Sequence, residues 1–335
     1  MKSLSIFDIM AVLLTLSAIF GYINHRYLRL PHTIGLVVIA LAASGVVVLF
    51  DLAVPSLGVA DAVRGGLKSI DFYQTLMEGM LSALLFAGAV HVDFAELSQR
   101  KWAIGLMASF GVLISTFLIG TAMWGVFTFF GINVPWIWAL VFGALISPTD
   151  PVAVLGILKT VRIPRLLEAK IAGESLFNDG VGVVIFVIIL AIASGTSGHG
   201  SEAVDAAGVA KLFLQEAVGG ALLGIAAGYL AYYAMRRIDE HNLEVLITLA
   251  LVFGTYALAL HLHLSGPIAV VVSGLFIGNH GARFAMSENT RRHVFQFWEL
   301  ADEIMNSVLF LLIGLEVMVI GSAFEYAWLG VIAIV

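Results

Sequence analysis

Long apolar runs follow one another along almost the whole chain. Each is long enough, or nearly so, to cross a bilayer as a helix of about 20 residues. Backbone polar groups find no water in hydrocarbon, so such runs fold as helices. We identify runs at 5–24, 32–50, 72–91, 102–130, 135–158, 166–194, 210–235, 243–261, 265–279, 295–320 and 323–335. The sequence therefore predicts an all-α, polytopic membrane protein with a single transmembrane domain over residues 1–335.

Composition supports this class and excludes several functions. Hydrophobic residues make up 60% of the 335 residues and charged residues only 12%. The net charge of -6 gives no indication of a nucleic-acid partner. Because the chain has no cysteine, disulfides and thiol catalysis are excluded. The last run stops at Val335 without a flanking charge, so we expect the natural chain to continue beyond it.

Basic residues are distributed unevenly between the connections. Those after the odd-numbered runs contain 12 of the 17 Lys and Arg residues. Lys and Arg concentrate on the cytoplasmic side of membrane proteins. We therefore expect a multi-pass protein of the cell membrane, in a prokaryote the inner membrane, with its N-terminus outside.

The fifth run contains two prolines, Pro148 and Pro151. Each removes a backbone donor and clashes with the preceding turn, and Asp150 before the second is pushed away from helical geometry. We expect the helix to break here, within the membrane, where freed carbonyls need a cavity, water or an ion. Such discontinuous helices form the substrate sites of many secondary transporters. A structural proline kink is the alternative.

The sixth run contains a carboxylate, Asp179, among apolar residues. A charge in hydrocarbon needs a proton, a cation or a partner. Ser175 lies one helical turn earlier on the same face, and Glu174 and Asn178 form the neighbouring pair. The Ser175 hydroxyl, the Asp179 carboxylate and a carbonyl near Thr149 are hard oxygen ligands suited to Na+. A protonated structural aspartate is the alternative.

Two other classes fit a pair of membrane carboxylates less well. An intramembrane aspartyl protease shares a proton between two aspartates, but this chain lacks the glycine-rich setting of such enzymes. A passive cation channel needs a repeated ring of carbonyls or charges, and here there is one asymmetric site. We therefore expect a transporter and not an enzyme.

Two motifs make the chain resemble a known family. Ser-Pro-Thr-Asp-Pro at 147–151 and Gly-Glu-Ser-x-x-Asn-Asp-Gly at 173–180 are similar to those of monovalent cation:proton antiporters of the NhaP and animal sodium/proton exchanger type. Segments 265–275 and 310–314 share the resemblance. It implies an inverted-repeat fold with discontinuous helices, about eleven of thirteen helices being present here. It also implies a homodimer and an elevator-like movement, without a cofactor.

The resemblance also implies the activity, which is the exchange of Na+ for H+ across the bilayer, with Li+ or K+ as other possible cations. A K+/H+ antiporter remains the nearest alternative. Asp179 would carry the ion and the proton in turn, and Asn178 before it marks electroneutral exchange. The implied roles are cation ligands at Asp179, Ser175 and Thr149, support from Asp150, Asn178 and Glu174, and helix breaking by Pro148 and Pro151. Ala87 occupies a position where some relatives carry a Glu ligand, and the arginine that pairs with the Glu matching Glu174 would lie beyond residue 335.

Overall fold

The computed structural model describes residues 6–54, 79–99, 101–149, 165–195 and 206–320, together with Gly65, Gly330 and Ile332. No β-strand occurs in these parts of the chain, and the all-α prediction is confirmed. Numbered along the described residues, the helices are α1 (Ile6–Ile23), α2 (His32–Ala53), α3 (Leu81–His91), α4 (Phe94–Gln99), α5 (Lys101–Phe129), α6 (Trp136–Ile146), α7 (Arg165–Ala193), α8 (Ala206–Met235), α9 (His241–His261), α10 (Gly266–Phe276) and α11 (Glu288–Ile320).

The helices follow the apolar runs closely. Six described segments are long and apolar enough to cross a membrane: Phe7–Leu28, His32–Asp51, Lys101–Phe129, Gly173–Ala193, Phe213–Met235 and His241–His261. The helices α3 and α6 are apolar but shorter. The predicted start of the ninth run is also confirmed, since Ser265 caps α10 by accepting a hydrogen bond from the Ile268 N–H. Of the run predicted at 323–335, only Gly330 and Ile332 are described, so the run stays a prediction.

Contacts divide the chain into two compact units. The first comprises Met1–Met80 and Asp302–Val335, and the second comprises Leu81–Ala301. In the first unit, the Ser44 hydroxyl donates to the Gly314 carbonyl at 3.1 Å. A Cβ on Gly314 would overlap Ala40, so α2 and the end of α11 pack closely.

The second unit holds every described residue of the predicted site. Its main core joins α3, α7, α9 and α10 through buried apolar side chains that include Leu85, Leu176, Tyr256 and Val270. The helix α7 packs against α3, α6 and α10. This places the predicted carboxylate helix at the centre of the unit, where its orientation is fixed from several sides.

Glycines bring α5 and α6 into close contact. A Cβ on Gly120 would lie 2.9 Å from the Ala139 carbonyl oxygen, and a Cβ on Gly143 would overlap the Thr116 carbonyl. Small residues allow such backbone approach between membrane helices. The contact fixes the position of α6, and with it the point where α6 ends.

Candidate cation site

The helix α6 ends where the sequence predicts a break. Its last residue is Ile146, and Pro148 and Thr149 follow outside the helix. Ser147 closes the end, because its hydroxyl donates to the Gly143 carbonyl at 2.6 Å and accepts a hydrogen bond from Thr116 at 3.2 Å. The helix α6 therefore ends two residues before Pro148, and the helix-breaking role of Pro148 stays a prediction. Asp150 and Pro151 lie outside the described residues, so their roles stay predictions.

The segment after the break lies along one face of α7. The Ser175 hydroxyl donates to the Thr149 carbonyl oxygen at 2.5 Å, and the Asn178 amide donates to the Thr149 hydroxyl oxygen at 2.7 Å. The ring of Pro148 packs against Gly182, where a Cβ would overlap it. Since residues three, four and seven apart share a helix face, the three α7 residues form a single surface for the broken segment.

Asn178 connects the broken segment with a second carboxylate. Its Nδ2 also donates to Oε1 of Glu174 at 3.1 Å, while its Oδ1 is buried and has no hydrogen-bond partner among the described residues. The opposite amide orientation would place Oδ1 against a carboxylate oxygen, and an ionised carboxylate only accepts hydrogen bonds. The side chain, 1% exposed, therefore offers a buried acceptor oxygen beside the break.

Hydrogen bonds thus bring together four of the predicted site residues: Thr149, Glu174, Ser175 and Asn178. Asp179 follows directly in α7 and is half-buried. Among the described residues, no group of three or more His, Asp or Glu side chains could hold a metal ion. The oxygens assembled here are a hydroxyl, a carbonyl, an amide and the Glu174 carboxylate, which are hard ligands of the kind that bind hard cations.

Ala87 is buried in α3 and contributes only a methyl group. Its carbonyl oxygen lies 2.7 Å from Nδ1 of His91. No acidic ligand comes from this position.

Thr116 and Gly182 were not predicted as site residues. Thr116 bonds to the end of the broken helix from α5, and Gly182 leaves room for the proline ring. The only signal for Gly182 in the sequence is its place one turn of α7 beyond Asn178, on the face shared by Ser175 and Asn178.

A comparison with protein families decides the class. The model of the transmembrane region of sodium/hydrogen exchangers matches residues 13–335. The chain belongs to the sodium/hydrogen exchanger family. Exchangers of this family are secondary transporters and not enzymes, so the intramembrane protease alternative is set aside.

Relatives of this exchanger are similar over most of its length. The Na(+)/H(+) antiporter NhaP of Pseudomonas aeruginosa is 50% identical over 327 residues, 97% of this chain and 74% of the relative. The Na(+)/H(+) antiporter NhaH of Halobacillus dabanensis is 36% identical over 298 residues, 87% of this chain and 69% of the relative.

The structure of the sodium proton antiporter MjNhaP1 from Methanocaldococcus jannaschii matches with a TM-score of 0.71, covering 92% of this chain and 69% of that one. At 18% identity, this likeness shows the fold alone. The antiporter fold expected from the motifs is confirmed.

Proposed function

We propose that this protein exchanges Na+ for H+ across a cell membrane and that Asp179 carries the two ions in turn. The names of both relatives described above support the pair of ions. The observation that carries the proposal is the broken end of α6, hydrogen-bonded along α7 through Ser175 and Asn178, next to Asp179.

Exchange follows from competition for one carboxylate. A charged Asp179 in the membrane interior costs at least a few kcal/mol, and either a proton or a Na+ ion removes that cost. The Ser175 hydroxyl and the Thr149 carbonyl supply neutral oxygens for Na+ that a proton does not use. Because one group binds one ion at a time, the protein crosses loaded with Na+ in one direction and with H+ in the other.

Asn178 makes the proposed exchange electroneutral. It is neutral and donates hydrogen bonds to Thr149 and Glu174, so Asp179 alone changes its charge in the cycle. One Na+ then moves for each H+, and no net charge crosses the membrane.

We also propose how the protein assembles and how it is oriented in the membrane. We extend it to a homodimer, from the resemblance, and to an external N-terminus, from the positions of Lys and Arg. The chain contains no cysteine, so single cysteines introduced at the N-terminus and in the predicted cytoplasmic connections report orientation without a background. Labelling of the N-terminal cysteine only from the inside would contradict this orientation.

The test of exchange uses everted membrane vesicles from antiporter-deficient cells that carry the full-length gene. After acidification of the lumen, added Na+ collapses the pH gradient, and K+ or Li+ does so less well. A K+ diffusion potential set with valinomycin leaves the Na+-dependent rate unchanged if exchange is electroneutral. Collapse with K+ but not Na+ would instead establish the K+/H+ alternative, and no collapse with any cation would refute the proposal.

A further inference from the structure

The connection between α1 and α2 is a turn that side-chain hydrogen bonds hold in place. The helix α1 continues into a π-helical turn, Asn24–Leu28, and Arg29 reverses the chain with a φ of 55°. Asn24 holds the turn through its Nδ2, which donates to the Leu30 carbonyl at 2.9 Å, and its Oδ1, which accepts from the Leu30 N–H at 3.2 Å. Because Asn24 is 3% exposed, the turn has a fixed shape.

This turn borders an open basic cavity of about 510 Å³. The cavity is lined by Asn24, His25, Arg26, Arg29, Leu30 and His32. Among the described residues, two arginines and two histidines line it, and no acidic residue does. Within the described residues neither guanidinium is found in an ion pair. Arg26 lies over the Tyr27 ring, with its Cζ 5.7 Å from the ring centroid, and both guanidiniums therefore present donors that no described carboxylate neutralises.

One wall of the cavity is supported by α11. Nε2 of His32 lies 2.8 Å from the Ser307 hydroxyl oxygen, which in turn donates to the Glu303 carbonyl. The carboxylate of Glu303 is exposed and does not line the cavity. The carboxylate of Glu303 therefore does not neutralise the basic residues that line the cavity.

The cavity lies where the two helices leave the apolar part of the bilayer. The candidate span of α1 runs from Phe7 to Leu28. Tyr22 and Tyr27 near its end are exposed, and tyrosines concentrate at the membrane–water interface. Ile34, Val38 and Leu41, in the half of α2 next to the cavity, are exposed as well. Lipid headgroups occupy this level, and acyl chains can lie along the apolar surfaces.

We propose that this cavity binds the phosphate group of an anionic membrane lipid. Guanidinium groups bind phosphate oxygens with paired hydrogen bonds, and basic pockets at the ends of membrane helices bind lipid headgroups. The volume falls in the range of small-molecule sites, about 300–1,000 Å³. A soluble phosphate would share the guanidinium contacts but would leave the exposed apolar surfaces of α1 and α2 unused.

The test is native mass spectrometry of the full-length protein in detergent, titrated with phosphatidylglycerol or phosphatidylcholine. The variant Arg26→Gln/Arg29→Asn removes both charges, and asparagine tolerates the positive φ at the second position. The control Arg236→Gln/Arg237→Gln removes the same charge from the end of α8, where Arg237 also packs over a tyrosine ring, that of Tyr233, at 4.2 Å.

We expect the parent to bind phosphatidylglycerol more tightly than phosphatidylcholine. Loss of two basic residues at a membrane surface weakens binding of an anionic lipid by about thirtyfold, and the control changes it less than about threefold. If the double variant does not fold, Arg26→Gln alone, at an exposed position, weakens binding about fivefold.

Three results would overturn the proposal. Equal affinity for the two lipids would show that the phosphate charge is not recognised. An equal loss in both double variants would show a general charge effect. Displacement of the lipid by inorganic phosphate at the same concentration, lost in the Arg26→Gln/Arg29→Asn variant, would identify a soluble phosphate as the occupant. The readout is independent of ion exchange, so failure here leaves the proposed function untouched.

Discussion

Replacing Asn178 by alanine tests the contact between the broken helix and α7. The side chain donates two hydrogen bonds, at 2.7 Å to Thr149 and at 3.1 Å to Glu174. A neutral buried hydrogen bond contributes about 0.5–1.5 kcal/mol, and one to a charged group about 1.5–3 kcal/mol. The lost bonds therefore amount to about 2–4.5 kcal/mol.

One part of the change acts in the opposite direction. The buried Oδ1 of Asn178 lacks a partner among the described residues, and its removal returns about 1–3 kcal/mol. With about 3 kcal/mol lost and about 2 kcal/mol returned at mid-range, the net effect is a loss of about 1 kcal/mol of stability. If this free energy is lost from the cation-binding arrangement of Thr149, the apparent KM for Na+ rises about fivefold.

The assay combines thermal unfolding in detergent with Na+-dependent collapse of the pH gradient in everted vesicles. Ser194→Ala is the control, because this exposed hydroxyl donates to the Leu190 and Ala191 carbonyls at the end of α7, sixteen residues along the chain from Asn178. We expect Asn178→Ala to lower the melting temperature and raise KM, and the control to do neither. If Asn178→Ala matched the parent in both, the hydrogen bonds to Thr149 would have no part in holding the site.

Three further predictions concern stability in detergent. Gly143→Ala forces a Cβ into a neighbouring backbone. This costs about 1–3 kcal/mol of stability and lowers the melting temperature, whereas Gly125→Ala, where the added Cβ meets open space, does not lower it. Glu244 is fully buried in α9 and its carboxyl oxygens have no hydrogen-bond partner among the described residues, so Glu244→Leu stabilises by about 1–3 kcal/mol and Glu244→Gln does not. The Leu243 N–H, bonded to Glu240 at the start of α9, holds the pKa of that exposed carboxyl below its usual 4.5; its stabilisation is present above pH 4.5 and is lost as pH falls through the lowered pKa.

The same melting curves can contradict each of these three predictions. Equal losses from Gly143→Ala and Gly125→Ala would disprove the close approach of α5 and α6. Destabilisation by Glu244→Leu would mean that the carboxyl has a partner that stabilises it. A Glu240→Gln variant that responds to acid as the parent does would show that the cap contributes nothing.

The sequence was informative where the chemistry of a single residue dictates the backbone. Pro148 cannot donate a hydrogen bond, so the end of α6 was predictable within two residues. Ser265, followed by Gly266 and Pro267, predicted the start of α10 for the same kind of reason. The apolar runs predicted the helices because hydrocarbon permits few other structures.

The contacts across the site were predictable only in part. The sequence placed Asn178 within reach of the broken helix, but whether its amide would bond to Thr149, Glu174 or both depends on how far α6 slides along α7. The contact of Pro148 with Gly182 of α7 sets that position, and one sequence does not show which glycines meet a neighbour. Glu244 was not predicted to be buried, because in the sequence it stands in a polar stretch that is typical of a solvated helix start.

The most direct test of the account is proton release on Na+ binding. Purified full-length protein in weakly buffered detergent solution near neutral pH is mixed with Na+, and the protons released and the Na+ bound are counted. We expect one H+ for each Na+ in the parent and in Glu288→Gln, a surface acid that pairs with Arg291, and neither release nor Na+ binding in Asp179→Asn. Undiminished release from a folded Asp179→Asn protein would contradict the central claim, that Asp179 carries the two ions in turn.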